Sequence, residues 1–312
     1  MGDKDTSQRS TQPITVVITA YNQGDLPLQS VQSALQQTLL PTQVIVVDDG
    51  SIDQQSLDVL EQIQQLAHNK HIPQITVMTQ ENAGVSAARN AGIAAATTPY
   101  IAVLDGDDMF MPNFLEQASA ELSKSSQIVA VSSWLQCFGV LDAVVKPIGG
   151  SLEDFLPRNC CPAACLIRQA DWQSAGGYTE SMRHGFEDWD FFLKLLENGG
   201  SGTSTITVLE QPLIQYRTAP ASANIASMTS RTEILRDMIT RHRESYAQHV
   251  DSVVLALDAL ATTRLRMWED AVQVHPELQQ HSLATQEFMR SPSFGDGGMA
   301  AAVRLRVSDY TK

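Results

Sequence analysis

The sequence predicts an α/β fold in which a mainly parallel central sheet is flanked by helices, and two observations carry that expectation. First, short apolar or β-branched runs at residues 14–18, 44–47, 75–78 and 100–104 recur at intervals of about 30 residues. The segments between them carry apolar side chains at helical spacing, the pattern of strands joined by crossover helices. Second, three of these runs end in polar clusters: Thr19-Ala20-Tyr21-Asn22, Asp48-Asp49-Gly50-Ser51 and Asp105-Gly106-Asp107-Asp108. The carboxyl ends of parallel strands are where open α/β sheets place their ligands, so one shared edge is expected to carry the chemistry.

Taken in order, residues 1–12 are polar and unpatterned and read as a disordered leader, with the domain beginning at residue 13 and its first strand at Ile14. Asp25 and Pro27 open a helix with Val31, Ala34, Leu35 and Thr38 on one face, and Pro41 closes it. Asp53 caps a second helix bearing Leu57, Leu60, Ile63 and Leu66. A third helix, residues 83–96, is rich in alanine and contains Gly84 and Gly92, so it can lie close to the sheet. Beyond the fourth strand, Pro112 and Phe114 start a helix, residues 128–138 form a strand, and residues 160–167 are extended. Glu187, Asp188 and Asp190 lead a helix that stops at Gly199-Gly200, and residues 205–216 form a late strand running into Arg217. Residues 13–227 are thus one domain. Residues 228–290 switch to helical patterning, with Ile234, Met238, His242, Val253, Leu257 and Leu260, and a homo-oligomer through these helices is one arrangement they allow. The glycine-rich stretch from Ser291 to the end reads as a flexible tail.

The 312 residues are 43% apolar and 18% charged, enough for a substantial core. The net charge of −14 is concentrated before residue 228, where 24 acidic residues face 11 basic ones. Such a surface argues against nucleic-acid binding, and a phosphate ligand there needs a cation as intermediary. No apolar run reaches the roughly 18 residues of a membrane span, so a soluble, cytoplasmic protein is expected, with Cys137, Cys160, Cys161 and Cys165 as free thiols.

Asp105, Asp107 and Asp108 crowd three carboxylates into four positions, which is costly unless a cation shares the space. A divalent metal bridging to a phosphate is the expected solution. Neither GxGxxG nor a Gly-Lys-Ser/Thr loop is present, so a glycine-cradled phosphate is not expected. Glu187, Asp188 and Asp190 form a second acidic cluster, although carboxylates in a first helical turn are favoured by the helix dipole in any case.

These motifs together resemble the family-2 inverting glycosyltransferases with the GT-A fold. The resemblance rests on Thr19-Ala-Tyr21-Asn22, Asp48-Asp49-Gly50-Ser51, the stretch from Asn82 through Arg89-Asn90 to Gly92, Asp105-Gly-Asp107-Asp108, and Glu187-Asp188-Trp189, in the family's order. It implies a nucleotide-diphosphate-sugar donor bound by Thr19, Ala20, Tyr21, Asn22, Asp49, Arg89, Asp105, Asp107 and Arg217. Asp49 is expected to accept a hydrogen bond from the base and Arg89 to face the nucleotide or its phosphates. Asp107 with Asp105 would hold Mn²⁺ or Mg²⁺, Asp188 would be the general base, and Glu187 its neighbour. The acceptor would be a carbohydrate or another hydroxyl, activated by a carboxylate opposite the leaving group. The absence of a QxxRW motif speaks against a processive synthase. A non-catalytic nucleotide-sugar-binding protein of the same fold is the alternative, and retention of both Asp107 and Asp188 argues against it.

Overall fold

In a computed structural model, residues 11–66, 73–198, 203–220, 227–228, 230–274, 283–295, 298–299 and 302–303 are described. Strands β1 (Thr11–Ala20), β2 (Leu40–Asp48), β3 (Gln74–Thr79) and β4 (Tyr100–Asp105) lie parallel in the order β3-β2-β1-β4. Alternate residues of each strand face opposite sides. Val16, Ile18, Val44, Val46, Ala102 and Leu104 join one core, while Val17, Ile45, Val47, Ile101 and Val103 join another. Helices α1 (Leu26–Leu35), α2 (Gln54–Leu66) and α4 (Phe114–Leu122) cover the first face; α3 (Val85–Ala95) and α7 (Glu187–Asn198) cover the second. The alanine-rich α3 does lie close to the sheet: a Cβ on Gly92 would fall 2.4 Å from Val17 Cγ1 and 3.0 Å from Val47 Cγ2.

Past β4 the regular alternation stops, and antiparallel pairs enter the sheet beside parallel ones. β4 pairs antiparallel with β8 (Cys165–Arg168), which pairs antiparallel with β6 (Ile128–Gly139). β9 (Thr205–Thr218) runs parallel to β6 and antiparallel to the short β5 (Met109–Phe110), while β7 (Ala143–Val145) flanks β6. The sheet is therefore mixed, with its long pairings parallel and its antiparallel ones short. Its parallel half is the half with the strand-end clusters. Two short helices, α5 (Leu152–Phe155) and α6 (Gln169–Ser174), flank β8.

Several boundaries differ from the sequence reading. β1 starts at Thr11, where it pairs with Leu40, so two of the residues assigned to the leader are strand; residues 1–10 lie outside the described residues. α1 ends at Leu35, and Pro41 sits near the start of β2, a position that tolerates its missing N–H. Asp25 makes no side-chain cap, and Val59 rather than the exposed Leu57 completes the buried face of α2.

The C-terminal region is helical as expected: α8 (Arg231–Arg241), α9 (Arg243–Gln248), α10 (Val250–Val274) and α11 (Leu283–Arg290). Ile234, Met238 and Val253 are buried in the second core, while Leu257 is exposed. The stretch from Ser291 is not simply a free tail. Met299, Ala302 and Val303 are buried in the first core, because three apolar residues at helical spacing find an apolar seam, with Phe294 packed beside it. No helix among the described residues is long and apolar enough to cross a membrane.

Candidate active site

Strand register brings the polar clusters together. Ala20 pairs with Asp48 and Thr19 with Asp105, so the ends of β1, β2 and β4 are adjacent. Gly106 lets the carboxylate loop press against β1, since a Cβ there would lie 2.5 Å from the Thr19 carbonyl oxygen. The Thr19 hydroxyl donates to Asp105 Oδ1 at 3.4 Å. Ala20 is buried and its carbonyl accepts the Asp49 N–H at 2.8 Å, while Tyr21 leaves 46% of its surface exposed at the rim.

Two residues expected against the nucleotide serve the loops instead. Asp49 is 4% exposed, and its carboxylate accepts from Gln80 Nε2 at 2.7 Å, Ala83 N at 2.9 Å, Gly84 N at 2.8 Å and Asn82 Nδ2 at 3.2 Å. Four donors fill the acceptor capacity of a carboxylate, so its task here is to hold the loop entering α3 rather than to receive a base. Asn22 has φ +49, and its side-chain oxygen accepts from the Ile52 and Asp53 N–H groups at 2.8 and 3.4 Å. That bond locks the loop before α2, as a short amide side chain in a left-handed conformation can.

Arg89 is also placed differently. It projects from α3 at 2% exposure, donating to Asp105 Oδ1 at 2.7 Å and to Glu187 Oε1 at 2.9 Å. Burial disfavours its charge, but Asp105 and Glu187 outweigh that and hold the guanidinium firmly protonated. Its ring-face contact with Tyr178 lies 5.3 Å from the centroid. Both terminal nitrogens therefore serve carboxylates beneath the site instead of facing phosphates.

The remaining carboxylates of the loop divide in role. Asp108 is buried; its Oδ1 accepts the Arg217 N–H at 2.8 Å, and its carboxyl is pushed well up by burial and by Asp107 and Asp105. It ties β9 to the loop. Arg217 completes the tie by donating to the Asp107 carbonyl at 3.1 Å and to Gln29 at 3.0 Å, with its guanidinium over Phe138. Asp107 is raised to about 6, chiefly by burial and then by Asp105. No group of three or more His, Cys, Asp or Glu among the described residues is arranged as a metal cage. One or two carboxylates completed by phosphate oxygens is, however, how Mg²⁺-type ions are commonly held, and the hard, electrostatically crowded carboxylate of Asp107 beside Asp105 fits that mode.

The second acidic cluster begins α7. Gly185 and Phe186 both have positive φ, +103 and +64, which turns the chain sharply into the helix at Glu187. Asp188 accepts Asn159 Nδ2 at 2.9 Å and the Trp189 N–H at 2.8 Å. Burial, and then the neighbouring Glu187, raise its carboxyl to about 7, against the opposing pull of Arg89 and these two donors. Trp189 is buried with its indole N–H on the Phe155 carbonyl at 2.7 Å, a packing role. Asp190 is fully buried and faces away into a different network: Thr179 at 2.7 Å, Lys194 at 3.0 Å and His242 at 3.2 Å. Despite the burial opposing it, the His242, Lys194 and Thr179 contacts hold Asp190 down at about 2.

Residues 15–168 match the model described as Glycosyl transferase family 2. The chain carries a family-2 glycosyltransferase domain. Its relatives include an uncharacterized glycosyltransferase, alr2836, of Nostoc sp., 38% identical over 118 residues, which are 38% of this chain and 35% of that protein. A chondroitin synthase of Pasteurella multocida is 28% identical over 60% of this chain and 19% of its own length. The chain thus spans about a third or less of these two relatives. Among solved structures, residues 1–349 of TarS from S. aureus in complex with UDP share the fold with TM-score 0.53 at 18% identity, covering 73% of this chain and 71% of that one. The glycosyltransferase domain has the GT-A fold.

Sequence reasoning missed Asn159, the bridging role of Arg89 and the His242–Asp190 pair. Asn159 sits in a loop without periodicity, and the sequence held no signal for it. His242 was visible as a polar position continuing the apolar face of Ile234 and Met238, at the end of α8, and Asp190 as a carboxylate whose helical offset from Asp188 turns it inward.

Proposed function

We propose that the glycosyltransferase domain moves a single sugar from a nucleotide-diphosphate-sugar donor to an acceptor hydroxyl, by a metal-dependent single displacement that inverts the anomeric centre. The observation that carries this reading is the Arg89 bridge. One guanidinium contacts both Asp105 of the donor-side loop and Glu187 at the start of α7, so the two acidic clusters stand on either side of one planar group. Donor and base halves of a transfer site have to be neighbours in this way.

In this reading Tyr21 and Thr19 line the nucleotide pocket at the end of β1. Asp107 with Asp105 would hold Mn²⁺ or Mg²⁺, which when bound offsets the negative charge of the departing nucleoside diphosphate. Asp188 takes the proton of the acceptor hydroxyl as its oxygen attacks the anomeric carbon and the bond to the diphosphate breaks. A carboxyl raised to about 7 is matched to that task near neutral pH. Uridine is the first base to test, since TarS was solved with UDP. A cytoplasmic location and pairing of copies through the C-terminal helices, whose Val254, Leu255 and Leu257 are exposed, belong to the same proposal.

The deciding experiment incubates the protein with Mn²⁺, a panel of nucleotide-diphosphate sugars and carbohydrate acceptors, and measures nucleoside diphosphate release. Acceptor-dependent release is expected. Donor binding without turnover for every pair in the panel would favour the binding-only alternative.

A further inference from the structure

The loop that supplies Asn159 is held from both sides. Its Cys160 carbonyl accepts the Gly149 N–H at 3.0 Å, and the Asn159 side-chain oxygen accepts the Cys161 N–H at 3.1 Å. Because that oxygen is taken by a backbone donor, the amide nitrogen is the end that must face Asp188, which it does at 2.9 Å. On the other side lies the turn after α11. Gly295 has φ +78, and a Cβ built on it would fall 1.7 Å from the Asn159 carbonyl oxygen and 2.8 Å from its carbon. The turn's backbone therefore rests directly on Asn159. It is anchored in turn by the half-buried Phe294 and by Met299, Ala302 and Val303 in the first core.

We propose that Asn159 is a positioning residue for Asp188 and that the Gly295 turn fixes Asn159, which makes that turn a structural part of the acceptor half of the site. The inference rests on Asp188 being the base. Physically, a carboxylate at the start of a helix can adopt several rotamers, and only a donor in a fixed place selects the one aimed at the acceptor. An amide donor also favours the charged carboxylate over its acid, so its removal makes the base harder to ionise. Gly295 is required for two reasons: the left-handed φ and the absence of room for a Cβ.

The test uses the full chain and three variants. Asn159→Ala is expected to lower kcat about tenfold to a hundredfold with the donor KM unchanged. It is also expected to move the acid limb of the pH–rate profile to higher pH. Asn159→Asp, which sets a carboxylate against the base, should move that limb further in the same direction. A merely structural loss would lower rates at every pH without moving it. Gly295→Ala should accelerate hydrogen exchange across residues 158–162 and lower kcat while donor binding persists. Unchanged limb and kcat in Asn159→Ala would overturn the positioning role, and unchanged exchange and kcat in Gly295→Ala would overturn the role of the turn. Asn159→Ala leaves the backbone of the loop intact, so it decides the first point even if Gly295→Ala does not fold. Failure of the underlying base assignment reads out separately, as near wild-type turnover by Asp188→Asn.

Discussion

Arg89 and Glu187 are joined at 2.9 Å by a guanidinium that is 2% exposed, and this pairing ties the start of α7, where Asp188 sits, to the sheet edge that carries Asp105. The same cation reaches Asp105 at 2.7 Å. A buried charge shared by two partners is strongly destabilising to remove, because each partner is left uncompensated. Arg89→Ala is expected to lower unfolding free energy by about 3 kcal/mol, read from urea denaturation. Arg89→Lys should recover only part of it, since an ammonium cannot span both carboxylates as a planar fork does.

Asp107 is the carboxylate best suited to a divalent ion, so Asp107→Ala should abolish Mn²⁺-dependent binding of UDP or the donor in calorimetry. The fold should be unaffected. Equal affinity of variant and wild type in Mn²⁺ would show that the ion is held elsewhere.

Asp188 must be deprotonated to accept a proton, and burial beside Glu187 sets its carboxyl at about 7. Turnover is therefore expected to rise with pH through about 7. Asp188→Asn should bind donor normally and lose turnover by about 100-fold or more. A profile flat from pH 5 to 8 in the wild type would argue that another group takes the proton.

His242 ties the C-terminal helices to α7 through Asp190 and Glu197. Burial alone would lower its pKa, but these two carboxylates outweigh burial and raise it to about 9 from an ordinary 6.5. A group raised in the folded state contributes fully below about pH 6.5, and its contribution is lost as pH climbs through about 9. Asp190, lowered to about 2, contributes above its ordinary 3.8 and loses that contribution as pH falls towards 2. The stability gap between wild type and His242→Ala should thus be on the order of 2 kcal/mol near pH 6 and shrink between pH 6.5 and 9. Thermal or urea unfolding across that range measures it.

Gly92 offers a test of packing. A Cβ at 2.4 Å from Val17 Cγ1 meets a buried, β-branched side chain that cannot swing away. Gly92→Ala should cost roughly 1–3 kcal/mol by chemical denaturation, even though alanine is the better helix former.

The sequence by itself determined the parallel half of the sheet, because buried strands and amphipathic helices announce themselves by period. It also placed the polar strand ends, since Thr19, Asp49, Asp105 and Asp107 directly follow those runs. From the same patterns came the start of α7 at Glu187 and Asp188. Tertiary structure alone decided which of these polar groups serve one another. Asp49 and Asn22 have their acceptors filled by loop N–H groups, Arg89 is buried between two carboxylates, and Asn159 reaches Asp188 from a loop 29 positions away. It also decided that β8 and β6 would continue the sheet through antiparallel pairs and that Met299, Ala302 and Val303 would return to the core. The physical reason is that periodicity reports only which face of an element is apolar. Hydrogen bonds and ion pairs between distant side chains depend on distances of a few ångströms and on which lone pairs are already occupied, and those are fixed only when the chain has folded.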